Sequence, residues 1–265
     1  SDSSTAGRIV AEIYAQALEN SGQRIARQAP VASRDDALTQ LQANELQVYP
    51  DFLFSLLTHL EADAGGAEVG DEETDAQLDA VNDVLPDTVS VGDPSSADNG
   101  LVIACVPAVV EEFELATLTD VFDAAADITL GGPADFEDAT PFGLAGFAAD
   151  EVEFEGFTAL EADEIGSAVD DGTVDCVVLP GLSASIVTDG LLVMTDESSL
   201  APSDALVPLV ATPALSGEVA LLLSQVDQLL TTEILRALVV KVDVGGQSVE
   251  RVAKDFIASQ ASSGG

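Results

Sequence analysis

Apolar residues recur at helical spacing over positions 6–19, where Ile9, Val10, Ile13, Tyr14, Ala17 and Leu18 share one face and Thr5 stands as the cap. Residues 23–28 read as a strand. Ser33 to Asp36 resembles a capping box, with Asp in place of Glu, that opens a helix to Ala43. Leu46, Val48 and Tyr49 then read as a short buried strand. Pro50 fixes φ at the first position of the helix that follows over 52–60. A strand that turns into a helix at a Tyr-Pro-acid tripeptide puts an aromatic ring at the carboxyl end of a sheet, where open α/β folds bind ligands.

The alternation continues. An acidic, Gly-containing loop at 62–73 leads to a helix over 74–85 and strands over 89–91 and 101–107. A capped helix follows at 117–126, then a strand over 128–130 that stops at Gly131-Gly132-Pro133. Beyond it come a helix at 158–170, strands at 174–179, 191–195 and 206–209, and helices at 216–228, 231–238 and 249–260. Two turn-rich passages, 93–100 and 198–204, enclose the central third. The pattern predicts an α/β fold of two lobes joined by two crossings, residues 1–99 with 205–265 forming one lobe and 100–204 the other.

Charge alters this picture. There are 48 acidic residues against 8 Lys and Arg, a formal net charge of −40, while hydrophobic content is an ordinary 47%. Such a chain can fold, but its long-range field repels nucleic acid and anionic membrane. Acids spread over every segment suit a solvated surface at high salt, as in a halophile. Residues 35–235 hold no Lys or Arg, so a site built there must meet a negative group with backbone N–H or hydroxyl donors. Cys105 and Cys176 have no metal or redox spacing and read as small buried hydrophobes, with a disulfide between neighbouring strands as the alternative. No apolar run of transmembrane length is present, and the early helix suggests a processed or trimmed start.

Catalytic chemistry finds little support. His59, the single histidine, lies in an apolar helix, the sequence has no nucleophile elbow, and neither HExxH, P-loop nor GxGxxG occurs. Gly131-Gly132-Pro133 is a fair ligand-facing turn with free backbone N–H groups. Asp71 to Glu73 could hold Ca²⁺ but lacks EF-hand spacing. An enzyme is not expected, nor a cofactor or metal.

Several segments, in order, are similar to one family: AEIYAQALENSG (11–22), ELQVYPDFL (45–53), DPSSADNGL (93–101), LGGPADF (130–136), VDCVV (174–178) and LTTEILRALVVKVD with VAKDF (230–256). The chain resembles the substrate-binding proteins of glycine betaine/carnitine/choline ABC transporters over nearly its whole length. The resemblance implies a two-lobed periplasmic-binding-protein fold (type II) that closes on a small-molecule solute and delivers it to an ABC permease. It implies a monomer outside the cytoplasmic membrane, a lipoprotein anchored through a removed or missing N-terminal segment. It also implies a missing first strand, since the family opens with a strand and an SKNFTE-like loop where Ser1–Ala6 stand.

The family holds quaternary ammonium groups by cation–π contact in an aromatic box. Tyr49 matches its first ring, in the YPEY segment. The other ring positions correspond to Leu101, to Asp204 in the PAYN-like segment and to the stretch around Ser183, none aromatic; the family's Arg after GGPPEF corresponds to Ala139. Leu53 to Ser55 stand where the family has Thr-Gly-Thr. The expected ligand is therefore a cationic or zwitterionic solute met by Tyr49, Asp51, Asn99, Ser183 and Asp204, with carboxylates replacing lost rings. The alternative is a sensory or structural binding-protein-like domain that has lost the transport ligand.

Overall fold

The computed structural model describes residues 1–64 and 74–263. In chain order the elements are α1 (Thr5–Asn20), α2 (Arg34–Gln42), β1 (Val48–Phe52), α3 (Leu53–Ala64), α4 (Thr74–Val84), β2 (Val89–Val91) and β3 (Leu101–Cys105). Next come α5 (Pro107–Phe113), α6 (Leu118–Asp123), β4 (Thr129–Gly132), α7 (Leu144–Ala149), β5 (Gly156–Ala159), α8 (Ile165–Asp170) and β6 (Cys176–Pro180). The chain ends with α9 (Ser185–Thr188), β7 (Leu192–Val193), β8 (Leu206–Ala211), α10 (Gly217–Asp227), α11 (Thr232–Asp243) and α12 (Val249–Ser263). Two compact units result: Ser1–Asn99 with Ser203–Gly265, and Gly100–Pro202.

In the first unit a three-stranded antiparallel sheet runs β1-β8-β2. All six residues of β8 are buried, as a central strand requires. Tyr49 faces Leu209 across the ladder and Asp51 faces Val207. Leu53, Leu56, Leu57 and Val81 close over this face with Leu38 and Leu41. Each fully buried Leu or Val contributes about 1.5–3 kcal/mol of transfer free energy. Helix α1 packs against α10, α11 and α12 through Ile9, Val10, Ile13 and Tyr14, the face its spacing predicted.

In the second unit a five-stranded sheet runs β5-β4-β6-β3-β7, with β4 parallel to β5 and β6, and β3 antiparallel to β6 and β7. Phe136, Phe142 and Phe147 meet edge-on beneath it at centroid distances of 5.5–5.8 Å. This unit contains 22 of the acids and no Lys, Arg or His.

Several local expectations are corrected. Ser4, not Thr5, caps α1, its side chain accepting from Gly7 N–H. Pro50 lies inside β1, paired with Pro208, and the helix starts at Leu53. An antiparallel ladder alternates inward and outward backbone groups, so a proline turned away from the partner strand removes no bond to it. Residues 23–28 form no strand, because no neighbouring strand is there to pair with them. The helix expected over 158–170 splits: Thr158 and Ala159 belong to β5 alongside β4, and the helix begins only at Ile165. Pro107 opens α5, where a longer strand was expected.

The cysteines are not independent apolar residues. Cys105 and Cys176 lie directly opposite on β3 and β6, fully buried, and form a disulfide. Gly131 and Gly132 are not a ligand-facing turn either. Both are buried within β4, and Gly131 pairs on both sides. A Cβ at Gly131 would sit 2.7 Å from Leu160 Cδ1, and one at Gly132 3.0 Å from Val178 Cβ, so the glycines serve close packing. Asp71 to Glu73, and much of the acidic loop expected at 62–73, lie outside the described residues.

Candidate functional site

Four of the five predicted residues meet in the first unit, where β1 gives way to α3 and the two inter-unit segments join it. Ser33 caps α2 by accepting from Asp36 N–H at 3.1 Å, and this places Arg34 on the first turn. The Arg34 guanidinium forks onto Asp51: Nε to Oδ2 and Nη2 to Oδ1 are both 2.8 Å, and Nη1 donates to Ser55 O at 3.1 Å. Asp51 is 5% exposed and also accepts from Phe52 N–H at 2.8 Å. Burial works against the Arg34 charge, but the Asp51 hydrogen bonds and charge, with help from Tyr49 and Asp204, raise its pKa on balance. A bidentate pair of this kind is stable only while both partners are present.

Asp204 closes the same corner. Its Oδ1 accepts from Ser55 N–H at 2.9 Å and its Oδ2 from Ser55 Oγ at 2.7 Å. Helix α3 follows β1 without a capping residue, so the carboxylate of Asp204 satisfies an amide of its first turn from across the sheet. Burial raises the Asp204 pKa, the Ser55 hydrogen bonds oppose the rise, and Asp98 and Asp51 add to it. Asn99 N–H donates to Asp204 O at 3.0 Å, Asp204 N–H to Asp98 Oδ1 at 3.0 Å, and Ser203 Oγ to Asp98 Oδ2. The segments around Asn99 and Asp204 are thus stitched side by side.

Tyr49 belongs to the hydrophobic cluster of the first unit and is 3% exposed. Burial raises its pKa far above that of a free phenol, Asp51 and Asp2 add to this, and Arg34 opposes it, so the ring is neutral. Ser183 lies in the second unit, in the turn after β6. Its N–H donates to Pro180 O at 2.9 Å and its Oγ accepts from Ser185 N–H at 3.3 Å.

Sequence reasoning missed Arg34. The cation-free span begins one residue beyond it, and its pairing with Asp51, 17 positions later, leaves no local pattern. The available signal was a buried-strand Asp that needs a partner. His59 lies on a helix surface with Nε2 2.8 Å from Asp35 Oδ1, as a packing residue would. A cavity of about 390 Å³ in the first unit lies elsewhere, between α1, residues 23–31 and the start of β1; none of the five predicted residues lines it.

The fold recurs among solved structures. A glycine betaine/carnitine/choline ABC transporter protein superposes with a TM-score of 0.87 at 14% identity, covering 98% of this chain and 97% of that one. Apo YehZ from Escherichia coli gives 0.80 at 18% identity, with 98% and 96% covered. Lactococcal OpuAC, closed on glycine betaine, gives 0.55 at 10% identity, with 99% and 94% covered. No curated protein matches the chain in sequence. At these identities the likeness defines a class: the two-lobed, periplasmic-binding-protein-like α/β fold.

The family follows from the sequence itself. Residues 1–259 match the family described as the substrate-binding domain of ABC-type glycine betaine transport systems, and the chain belongs to it. It is thus a solute-binding component of an ABC transport system, in a family whose role is binding and not catalysis. No helix among the described residues is long and apolar enough to cross a membrane.

Proposed function

We propose that this chain captures a small cationic or zwitterionic solute outside the cytoplasmic membrane, to which a lipid anchor holds it, and passes the solute as a monomer to an ABC permease. The observation that supports this reading is the corner formed by Tyr49, Asp51 and Asp204, where Arg34 is forked onto Asp51 and feels the charge of Asp204, and Asp98 adds a third carboxylate beside Asp204. The local charge is negative, which favours an ammonium group. One neutral aromatic ring, worth about 0.5–2 kcal/mol to a cation, replaces the family's box. Asp51 and Asp204 act through the charge of the corner, since their oxygens are engaged by Arg34 and Ser55. Asn99 supplies a polar contact beside them, and Ser183 is the proposed contact of the second unit.

One observation favours the second reading, a sensory or structural domain that has lost the transport ligand. Tyr49 is packed among Leu53, Leu56 and Leu209 and offers little ring surface. Titration calorimetry with glycine betaine, choline, proline and diamines in molar KCl separates the two. Heat of binding together with a raised melting temperature for one of these solutes is the expected result. A folded protein that none of them stabilises would refute solute capture and leave the second reading.

A further inference from the structure

The donors of the corner around Asp51 and Asp204 face acceptors of the protein itself. Ser55 N–H and Ser55 Oγ both donate to the Asp204 carboxylate, at 2.9 and 2.7 Å. Phe52 N–H donates to Asp51, and all three nitrogens of the Arg34 guanidinium donate, two to Asp51 and one to Ser55 O. An amide and a hydroxyl on one residue, in the first turn of a helix, match the two oxygens of a carboxylate. In this chain that carboxylate is built in.

Asp204 is 6% exposed, and its main chain is pinned on both sides. Its N–H donates to Asp98 Oδ1 at 3.0 Å, and its carbonyl accepts from Asn99 N–H at 3.0 Å. The preceding carbonyl, of Ser203, accepts from Nε2 of the fully buried Gln77 at 3.1 Å. A carboxylate held in this way loses little freedom on meeting Ser55, whereas one on a free solute loses much, so the solute group competes poorly. The field acts in the same direction. Asp51, Asp98 and Asp204 outnumber the one guanidinium, and the second unit has no Lys, Arg or His to offset them.

We propose, resting on the reading that this corner receives a solute, that the protein selects cations without a carboxylate, and that Asp204 sets the preference by occupying the donors a zwitterion would need. The ligand class is then an ammonium alcohol or an amine, and not glycine betaine or proline. Choline and glycine betaine share a trimethylammonium head and end in an alcohol and a carboxylate respectively. Their comparison therefore isolates the one feature that matters.

Titration calorimetry in molar KCl measures both solutes on the unaltered chain and on Asp204→Asn, which keeps an acceptor for Ser55 N–H and removes the charge. The unaltered chain should bind choline about 10-fold or more tighter than glycine betaine, and the variant should narrow that ratio about 10-fold. Glycine betaine bound as tightly as choline would overturn the proposal and leave solute capture standing. A ratio equal in the two proteins would overturn the role of Asp204. A folded chain that binds neither of them, nor a diamine, would refute solute capture and the selection with it. Asp204→Ala gives a readout that needs no solute. Acetate in place of chloride, at constant ionic strength, should raise its melting temperature beyond any rise in the unaltered chain, by filling the vacated place at Ser55. Equal effects of acetate on the two would count against a carboxylate place there.

Discussion

Asp227 gives the most exacting check on the energetics of the first unit. It sits at the end of α10, 2% exposed, with Oδ1 accepting from the fully buried Tyr14 hydroxyl at 2.5 Å and Oδ2 without a hydrogen-bond partner. Burial pushes its pKa up from 3.8 to about 7; the Tyr14 hydrogen bond opposes the rise and the charge of Asp93 adds to it. A shift of roughly 3 units corresponds to about 4 kcal/mol. Well below its ordinary pKa of 3.8 the carboxyl is protonated in both folded and unfolded chains, and its full contribution is present. As pH rises towards 7 the unfolded chain releases the proton and the folded one retains it, so stability falls through this window.

Asp227→Asn keeps the acceptor for Tyr14 and removes the titration, leaving an unpartnered amide NH2 group that costs about 1–3 kcal/mol. Urea denaturation followed by circular dichroism in molar KCl, at half-unit steps from pH 4 to 8, measures both proteins. The other acids titrate alike in the two, so the difference between their stabilities isolates Asp227. That difference should move by about 4 kcal/mol in favour of the Asn variant between pH 4 and 8. A difference independent of pH would refute the argument, because an ordinary, solvated carboxylate titrates equally in folded and unfolded states.

Arg34→Ala should cost about 3–5 kcal/mol in urea denaturation by leaving Asp51 buried without its partner, and Asp51→Asn in the same chain should recover part of the loss; a cost below 1 kcal/mol would show the pair to be a surface one. Reducing the Cys105–Cys176 bond, which closes 71 residues of sequence, should lower stability by about 4 kcal/mol on the loop-entropy scale, read as a drop in melting temperature with dithiothreitol that Cys105→Ser reproduces and reductant then leaves unchanged. We further propose that the fold depends on salt, since repulsion among 48 acids acts over about 30 Å in 10 mM salt and about 3 Å at 1 M; circular dichroism unchanged between these conditions would reject this.

The sequence alone determined the elements that are local in origin. Period-3.6 patterning placed α1, α10 and α12, turn chemistry placed the passages around Asn99 and Asp204, and Thr117 with Asp120 forms the capping box that opens α6. Colinear motifs identified the family. These features depend on residues a few positions apart, which a linear reading captures. What the tertiary structure decided depends on partners far along the chain. Residues 23–28 have strand composition but no strand, because a ladder needs a neighbour that propensity cannot supply. Gly131 and Gly132 are packing positions because Leu160, Val174 and Val178 lie against them. The cysteines could be judged only once β3 and β6 were seen in register. Arg34, Asp51 and Asp204, spread over 170 positions of sequence, form one corner because α2, α3 and the return segment converge on β1. Carboxylates that read as independent ligand contacts are there partners of a guanidinium and a helix end, since a buried charge has to be paired where it lies.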